Sequence, residues 1–292
     1  MTRKTIPAIL FGLIALVSLP FTADASTIGN IASSQGGGGE VSVGVEYERV
    51  FNRDLSINSG DRTRNVNGAI TTTSFPASGG SINDFKMESN RVLVKGTFGF
   101  HQDIDLDLFL KMGIADVLWK ANHVVAAGTD RDLEFDGEAD FAWGGGAKLG
   151  FYQFSSGLKI MGDIQYLTYT VSGNYSVNGL DRAFFETPSS YETKTNVEEW
   201  QGALYAQQFF GPIGPYLGVK YSDMNLENET SVSGRTSGVP YSYDETVNAD
   251  ADKNLGAFLG ADINIVPRHL SVNVEVRLVD ETACSIGVNY KF

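Results

Sequence analysis

The chain has 292 residues, among them 33 Gly, 18 Phe and 12 Tyr, and a formal net charge of −13. The acidic balance argues against a nucleic-acid partner, which needs a basic face. The single cysteine, Cys284, excludes an intramolecular disulfide and a multi-cysteine zinc site, and glycine and aromatics at this level suit many strands and turns.

At the amino terminus, Arg3 and Lys4 precede an apolar run from Ile6 to Phe21, and Ala23-Asp24-Ala25 supplies small residues where a signal peptidase reads. Residues 1–25 are therefore expected to be a signal peptide, cleaved after Ala25. The run is short for a spanning helix, and no later stretch approaches the roughly 20 apolar residues a second one needs. Residues 26–39, with Gly36 to Gly39, read as a flexible lead-in. An exported chain of this kind is periplasmic, secreted or a barrel.

From residue 40 onward the hydropathy keeps a period of two, the spacing of a strand. Val41, Val43, Val45 and Tyr47 oppose Ser42, Gly44, Glu46 and Glu48. Val92, Val94, Phe98 and Phe100 oppose Arg91 and Lys95. Leu106, Leu108, Leu110 and Met112 oppose Asp105, Asp107 and Lys111. Phe141, Trp143, Ala147 and Leu149 oppose Gly144, Gly146 and Lys148, and Ile160, Ile164 and Tyr166 oppose Lys159, Asp163 and Gln165. Trp200, Leu204 and Ala206 oppose Gln201, Tyr205 and Gln207, and Leu217, Val219 and Tyr221 oppose Gly218 and Lys220. Leu255, Ala257, Leu259, Ala261 and Ile263 oppose Gly256, Gly260 and Asp262, and Val272, Val274 and Val276 oppose Asn273, Glu275 and Arg277. A last strand, Ala283 to Phe292, makes about ten.

Connections alternate in length. Short turns are expected near residues 101–103, 152–156, 211–214 and 267–269. Long polar segments fall at about 52–84, 121–138, 174–196 and 225–253, with a tight turn near Asp280-Glu281. This is the pattern of short periplasmic turns and long extracellular loops. Periodicity alone fits either a soluble sandwich with apolar residues inside or a membrane barrel with them outside. The export signal, the loop asymmetry and the terminal aromatic decide for the second. The expected fold is all-β, a closed antiparallel transmembrane barrel over residues 40–292.

The final residues, Ser285-Ile286-Gly287-Val288-Asn289-Tyr290-Lys291-Phe292, resemble the C-terminal signal that the barrel-assembly machinery recognises in bacterial outer-membrane proteins, with Ser285, Gly287, Tyr290 and Phe292 carrying the pattern. Nearly the whole mature chain resembles the small outer-membrane barrels, porin-like and opacity-type surface proteins included. That likeness implies a bacterial outer-membrane location, with outer-membrane lipid and the assembly machinery as partners. It brings no catalytic or ligand residues with it.

The residues expected to face the lumen form a polar network of both signs: Glu46, Arg91, Lys95, Asp105, Asp107, Lys111, Lys148, Asp163, Asp262, Glu275 and Arg277. Ten strands enclose a space only slightly wider than eight, which side chains fill. Paired charges are thus expected to plug it, although inward Gly144, Gly146, Gly256 and Gly260 leave room for a narrow path for ions or small solutes. The acidic run Asp130, Asp132, Glu134, Asp136, Glu138 and Asp140 is expected to be a solvated loop. It lacks the turn glycine and closing Glu of an EF-hand, and no metal or other cofactor is assigned. Tyr175, Tyr191, Tyr241 and Tyr243 are candidates for loop recognition of an unidentified ligand, or for an interfacial belt.

No enzyme is expected. Omptin-like barrel proteases pair Asp-x-Asp with Asp-x-His. This chain has Asp130-Arg131-Asp132, but none of His101, His123 or His269 completes the second pair. His269-Leu270-Ser271 matches the His-x-Ser pair of barrel lipases only as text, since it follows a periplasmic turn and faces the lumen. The sequence therefore points to a non-enzymatic integral barrel with a structural or surface role. A narrow channel and an adhesin or receptor acting through acidic loops are the alternatives.

Overall fold

The computed structural model describes residues 39–75, 82–101, 105–124, 130–177, 180–181, 188–236 and 238–292. The expected signal peptide with Ala23 and Ala25 lies outside them, as does the lead-in up to residue 38. Gly39 already belongs to the first strand, opposite Phe100. In chain order the strands are β1 (Gly39–Val66), β2 (Ala69–Phe75), β3 (Ile82–His101), β4 (Asp105–Ala115), β5 (Leu118–Val124), β6 (Asp130–Gly137), β7 (Asp140–Gln153) and β8 (Lys159–Val177). They continue with β9 (Leu180–Asp181), β10 (Pro188–Gln207), β11 (Ile213–Thr236), β12 (Val239–Ala251), β13 (Leu255–Val266), β14 (Leu270–Leu278) and β15 (Glu281–Lys291).

Ten of these close on themselves in the order β1-β3-β4-β7-β8-β10-β11-β13-β14-β15 and back to β1. The seam pairs β1 with β15 from Ser42↔Lys291 to Arg53↔Glu281. Closure leaves the ring without an edge, which a bilayer requires because hydrocarbon offers no partner for free backbone groups.

The alternation runs apolar-outward around this ring. Leu110, Leu217, Leu259, Ile164 and Leu204 are exposed on the outside, while Glu46, Arg91, Lys148, Asp262 and Arg277 are buried within. Aromatic rings gather at both ends of the belt, as at membrane–water interfaces. At one end Tyr166 lies 6.0 Å from Trp143 and 4.7 Å from Trp200. At the other, Phe98 packs on Phe100, Tyr152 on Phe154 and Tyr290 on Phe292.

The four long segments expected to be loops are, where described, mostly paired strand. Above the extracellular girdle, β1 leaves β15 and joins β12 from Leu55↔Ala251. There β3 exchanges β4 for β5, β8 exchanges β7 for β6, and β11 exchanges β13 for β12. A narrower wall of β1, β3, β5, β6, β8, β10, β11 and β12 thus stands on the membrane barrel. The phase of alternation carries straight through and the chemistry inverts. On β10 the outward residues change from Trp200 and Leu204 to Glu198, Asn196 and Lys194, while the inward ones change from Gln201 and Glu199 to Val197. On β11 the same exchange falls between Tyr221 and Asp223 outside, and between Ser222 and Met224 inside. Water replaces lipid around the wall at that height, so apolar side chains gain by moving in.

The extension consequently has a dry core containing Trp119, Phe135, Val171, Val197 and Leu226. Trp119 stacks on Phe135 at 5.8 Å and tilts against Tyr175 at 5.7 Å. Tyr175 and Tyr243 are buried and Tyr191 packs on the core, so these three are packing residues of the extension and not surface recognition groups. Leu133 and Phe135 likewise point inward from β6, which makes Asp132, Glu134 and Asp136 the wet face of a strand, not a loop cluster.

Candidate functional site

The enclosed space of the barrel holds the chain's concentration of polar chemistry, arranged in layers. At the periplasmic mouth Glu40 pairs with Lys291, and Lys159 reaches Asp105 at 3.2 Å. The Asp105 side chain is 28% exposed, so it belongs to the mouth and not to the enclosed network. Above it, Asp262 accepts from Asn273 at 2.7 Å and Gln207 at 2.5 Å. Tyr216 donates to Glu275 at 3.0 Å, and Lys148 faces Asp163 at 4.0 Å. Met161, Tyr205, Tyr216 and Phe258 form an apolar shelf at this level, and Asp107 is buried.

In the middle layer Lys111 pairs with Glu46 at 3.3 Å and donates to Gln165 at 2.9 Å. A relay then runs from Gln165 to Gln201 at 2.9 Å, and from Gln201 to Glu199 at 2.7 Å. The Phe109 ring takes Lys95 at 4.7 Å and Lys111 at 5.5 Å, a cation–π arrangement that lets two ammonium groups share one dry site.

The uppermost layer is the densest. Arg91 bridges Glu48 at 2.7 Å and Glu199 at 2.9 Å. Arg277 bridges Glu48 at 2.9 Å and Glu281 at 3.4 Å. Arg53 joins Glu199, Glu281 and the Ser222 hydroxyl, and Lys220 holds Asp280 and Glu281. Arg53, Arg91, Arg277 and Lys220 thus balance Glu48, Glu199, Asp280 and Glu281 one for one. Balance matters, because an unpaired charge buried among these groups would cost several kcal/mol.

Glu46, Arg91, Lys95, Asp107, Lys111, Lys148, Asp163, Asp262, Glu275 and Arg277 therefore lie buried in the interior. Reading the sequence missed Arg53, Glu199, Asp280 and Glu281. Parity would have found Glu199, two residues before Gln201, had β10 been extended past the girdle. Arg53 was hidden by a β-bulge between Val50 and Asn52, which shifts the phase of β1 by one residue.

Beside three of the inward glycines the space is filled by a side chain. A Cβ at Gly260 would fall 2.3 Å from the Tyr216 hydroxyl, one at Gly256 2.0 Å from Asp280 Oδ1, and one at Gly146 2.7 Å from the Phe109 ring. Each glycine admits a bulky or charged neighbour, so the room it leaves is occupied. Between the upper layers is a cavity of about 10 Å³, lined by residues that include Glu46, Glu48, Arg91, Lys111 and Glu199, a space for one water molecule.

The remaining candidates disperse. Glu134 pairs with Lys120 at 3.1 Å on the outer face of the extension, and among the described residues no three His, Cys, Asp or Glu converge on a metal position. Ser271 accepts from Asn289 at 3.0 Å, while His269 Nδ1 sits 3.1 Å from the Lys291 carbonyl; each is engaged elsewhere. On β15, Ser285 faces inward between Glu48 and Glu275 and Gly287 lies opposite Glu46. Tyr290 and Phe292 meet edge to face at the periplasmic rim of the outer surface. Cys284 is half-buried on the outward side.

No family model and no curated protein matches this chain. Among solved structures it is similar to the outer membrane protein OprG of Pseudomonas aeruginosa, at 12% identity over 90% of this chain and 99% of that one, TM-score 0.38. It is also similar to the translocator domain of the autotransporter NalP from Neisseria meningitidis, at 11% over 98% and 96%, TM-score 0.38. A third similarity is to the outer membrane protease OmpT of Escherichia coli, at 11% over 87% and 97%, TM-score 0.41. These likenesses are too distant to assign a role, so the geometry has to carry the assignment: an edgeless ring, an apolar belt between two aromatic girdles, and charge sealed inside. The chain is an integral outer-membrane β-barrel.

Proposed function

We propose that this barrel is a closed, non-enzymatic surface protein that anchors a rigid β-walled extension above the outer membrane. The observation that carries the reading is the filled interior. Arg53, Arg91, Arg277, Lys148 and Lys220 are fully buried, and the dry core of the extension stands over them. A conducting pore needs a continuous hydrated path, which paired charges and packed aromatics remove. The test is conductance of refolded protein in planar bilayers at neutral pH. Baseline current is expected, and regular single-channel openings would favour the narrow-channel alternative.

A surface-recognition role gains support from the outer face of the extension, where Asp132, Asp136, Asp223, Asn225 and Glu229 are exposed to water. Substituting Asp223 and Glu229 by Ser should reduce attachment of expressing cells if this face binds a partner, and unchanged attachment removes that role. Contact with outer-membrane lipid follows from the belt. Recognition by the barrel-assembly machinery through Ser285, Gly287, Tyr290 and Phe292 is part of the same proposal.

A further inference from the structure

Strand β2 stands at the rim of the extension with one edge open. Among the described residues it pairs with β1 alone, from Gly60↔Phe75 to Val66↔Ala69, with no shift of register. Ala69, Thr71, Thr72 and Ser74 are exposed, and Ile70 is 68% exposed. Natural edge strands are usually guarded by lysine, proline, a bulge or a covering element. The sequence Ala69-Ile70-Thr71-Thr72-Thr73-Ser74-Phe75 has neither charge nor proline. In a chain of net charge −13 it is the one described strand without a charged residue.

The hairpin turn fixes which backbone groups line that edge. Asn67 and Gly68 both hold positive φ, 51° and 86°, the two-residue turn whose flanking residues, here Val66 and Ala69, exchange both hydrogen bonds. The Asn67 N–H points the other way and donates to the Pro240 carbonyl at 3.0 Å, toward β12. Alternation then turns the N–H and C=O groups of Ile70, Thr72 and Ser74 away from β1. An antiparallel copy of the same edge fits these groups in register. Thr72 meets Thr72 of the copy and Ile70 meets Ser74, each pair exchanging both its hydrogen bonds. Thr opposite Thr is a favourable cross-strand pair, and no like charges face each other. Two barrels in one membrane carry β2 in the same direction. Copies on facing membranes carry it in opposite directions, as antiparallel pairing requires.

We propose that β2 is a homotypic contact strand, whose open edge pairs antiparallel with β2 of a second copy on a facing outer membrane and so holds cells together. The proposal rests on the extension standing outside the cell and names its partner. One pair of seven-residue strands buries far less area than a stable complex needs, so adhesion comes from many pairs acting together between two membranes. Thr72→Pro removes an N–H that β1 does not use, at an edge position where proline is tolerated. The hairpin is kept while the pairing is lost. Thr72→Lys or Thr72→Glu sets like charges opposite each other, whereas Lys opposite Glu attracts.

Cells expressing equal amounts of heat-modifiable barrel, marked in two fluorescent colours, are compared for clumping. Parent cells are expected to clump with one another, and Thr72→Pro, Thr72→Lys and Thr72→Glu cells at least about tenfold less. Mixing Thr72→Lys with Thr72→Glu cells should restore clumps of both colours. Thr72→Pro cells that clump at the parental level overturn the pairing, as do parent cells that stay dispersed or that gather cells lacking the protein equally well. If Thr72→Pro fails to fold, the charge variants decide: Lys and Glu cells that clump as well alone as mixed overturn it. Labelling of Arg64→Cys, an exposed position on β1, by a membrane-impermeant maleimide separates the two readings. Labelled cells that stay dispersed refute the pairing alone, while labelling no higher than the parent refutes the external extension and the pairing with it.

Discussion

Replacing Leu217 by Arg tests the orientation on which every other statement depends. Leu217 is 68% exposed and sits midway along the outward apolar run of β11 from Ile213 to Tyr221. That run spans about 26 Å at ~3.3 Å per residue, or about 20 Å of membrane depth once the strand tilts by ~40°. Leu217 is therefore near the midplane, where an arginine on the lipid face costs about 2–4 kcal/mol. Asn225 lies on the same face of the same strand, beyond the exchange at Tyr221 and Asp223, and is exposed beside Asp250 at 3.2 Å. Asn225→Arg should change stability by less than about 0.5 kcal/mol. Both variants would be refolded into lipid vesicles and unfolded in guanidinium, with tryptophan fluorescence as the signal. Equal effects, or a larger one at Asn225, would refute the placement of the membrane boundary and with it the outward-facing belt.

Four further outcomes follow from the same packing. Arg53→Met and Glu199→Met should each cost about 3–5 kcal/mol, but the double variant should fall short of their sum by more than about 2 kcal/mol, as a double-mutant cycle would show. Phe135→Ala should remove about 3–5 kcal/mol from the core of the extension, read as faster amide exchange in β5 and β6 with exchange in β13 and β14 unchanged. Gly260→Ala should destabilise by about 1–3 kcal/mol through its collision with Tyr216, while Gly96→Ala, with nothing within 4 Å of the added carbon, should be close to neutral in the same unfolding assay. Phe292→Ala should lower the fraction of heat-modifiable barrel recovered in outer membranes of expressing cells, and full recovery would remove its role in assembly.

Much of the membrane barrel was legible because its code is local. Alternation along each strand needs no knowledge of neighbours, and one lipid-facing side in ten successive strands places Glu46, Lys111, Asp163 and Arg277 inside whatever their partners. What lay beyond the membrane was misread for the same reason. The segments around residues 55–57, 118–122, 132–137, 167–176, 224–235 and 239–251 carry the opposite code, polar outside and apolar inside, so a reader tuned to the belt sees only loss of pattern. Tyr175 and Tyr243 illustrate the error: tyrosine looks like a surface or interface residue until a wall of strands closes around it. The inward glycines were misread too, because a missing side chain means space only if no neighbour fills it, and Tyr216, Asp280 and Phe109 come from other strands.

The sequence by itself determined the strand faces within the membrane belt, the approximate number of strands in the ring and most of the charges enclosed there, since each depends on residues two apart. Tertiary structure alone decided which charges meet. Arg53 reaches Glu281 on the neighbouring strand β15 and Glu199 across the lumen only after a bulge rephases β1 and closure brings distant strands face to face. It also decided how densely the interior is packed, because packing density is a property of opposing walls, and no single strand carries it.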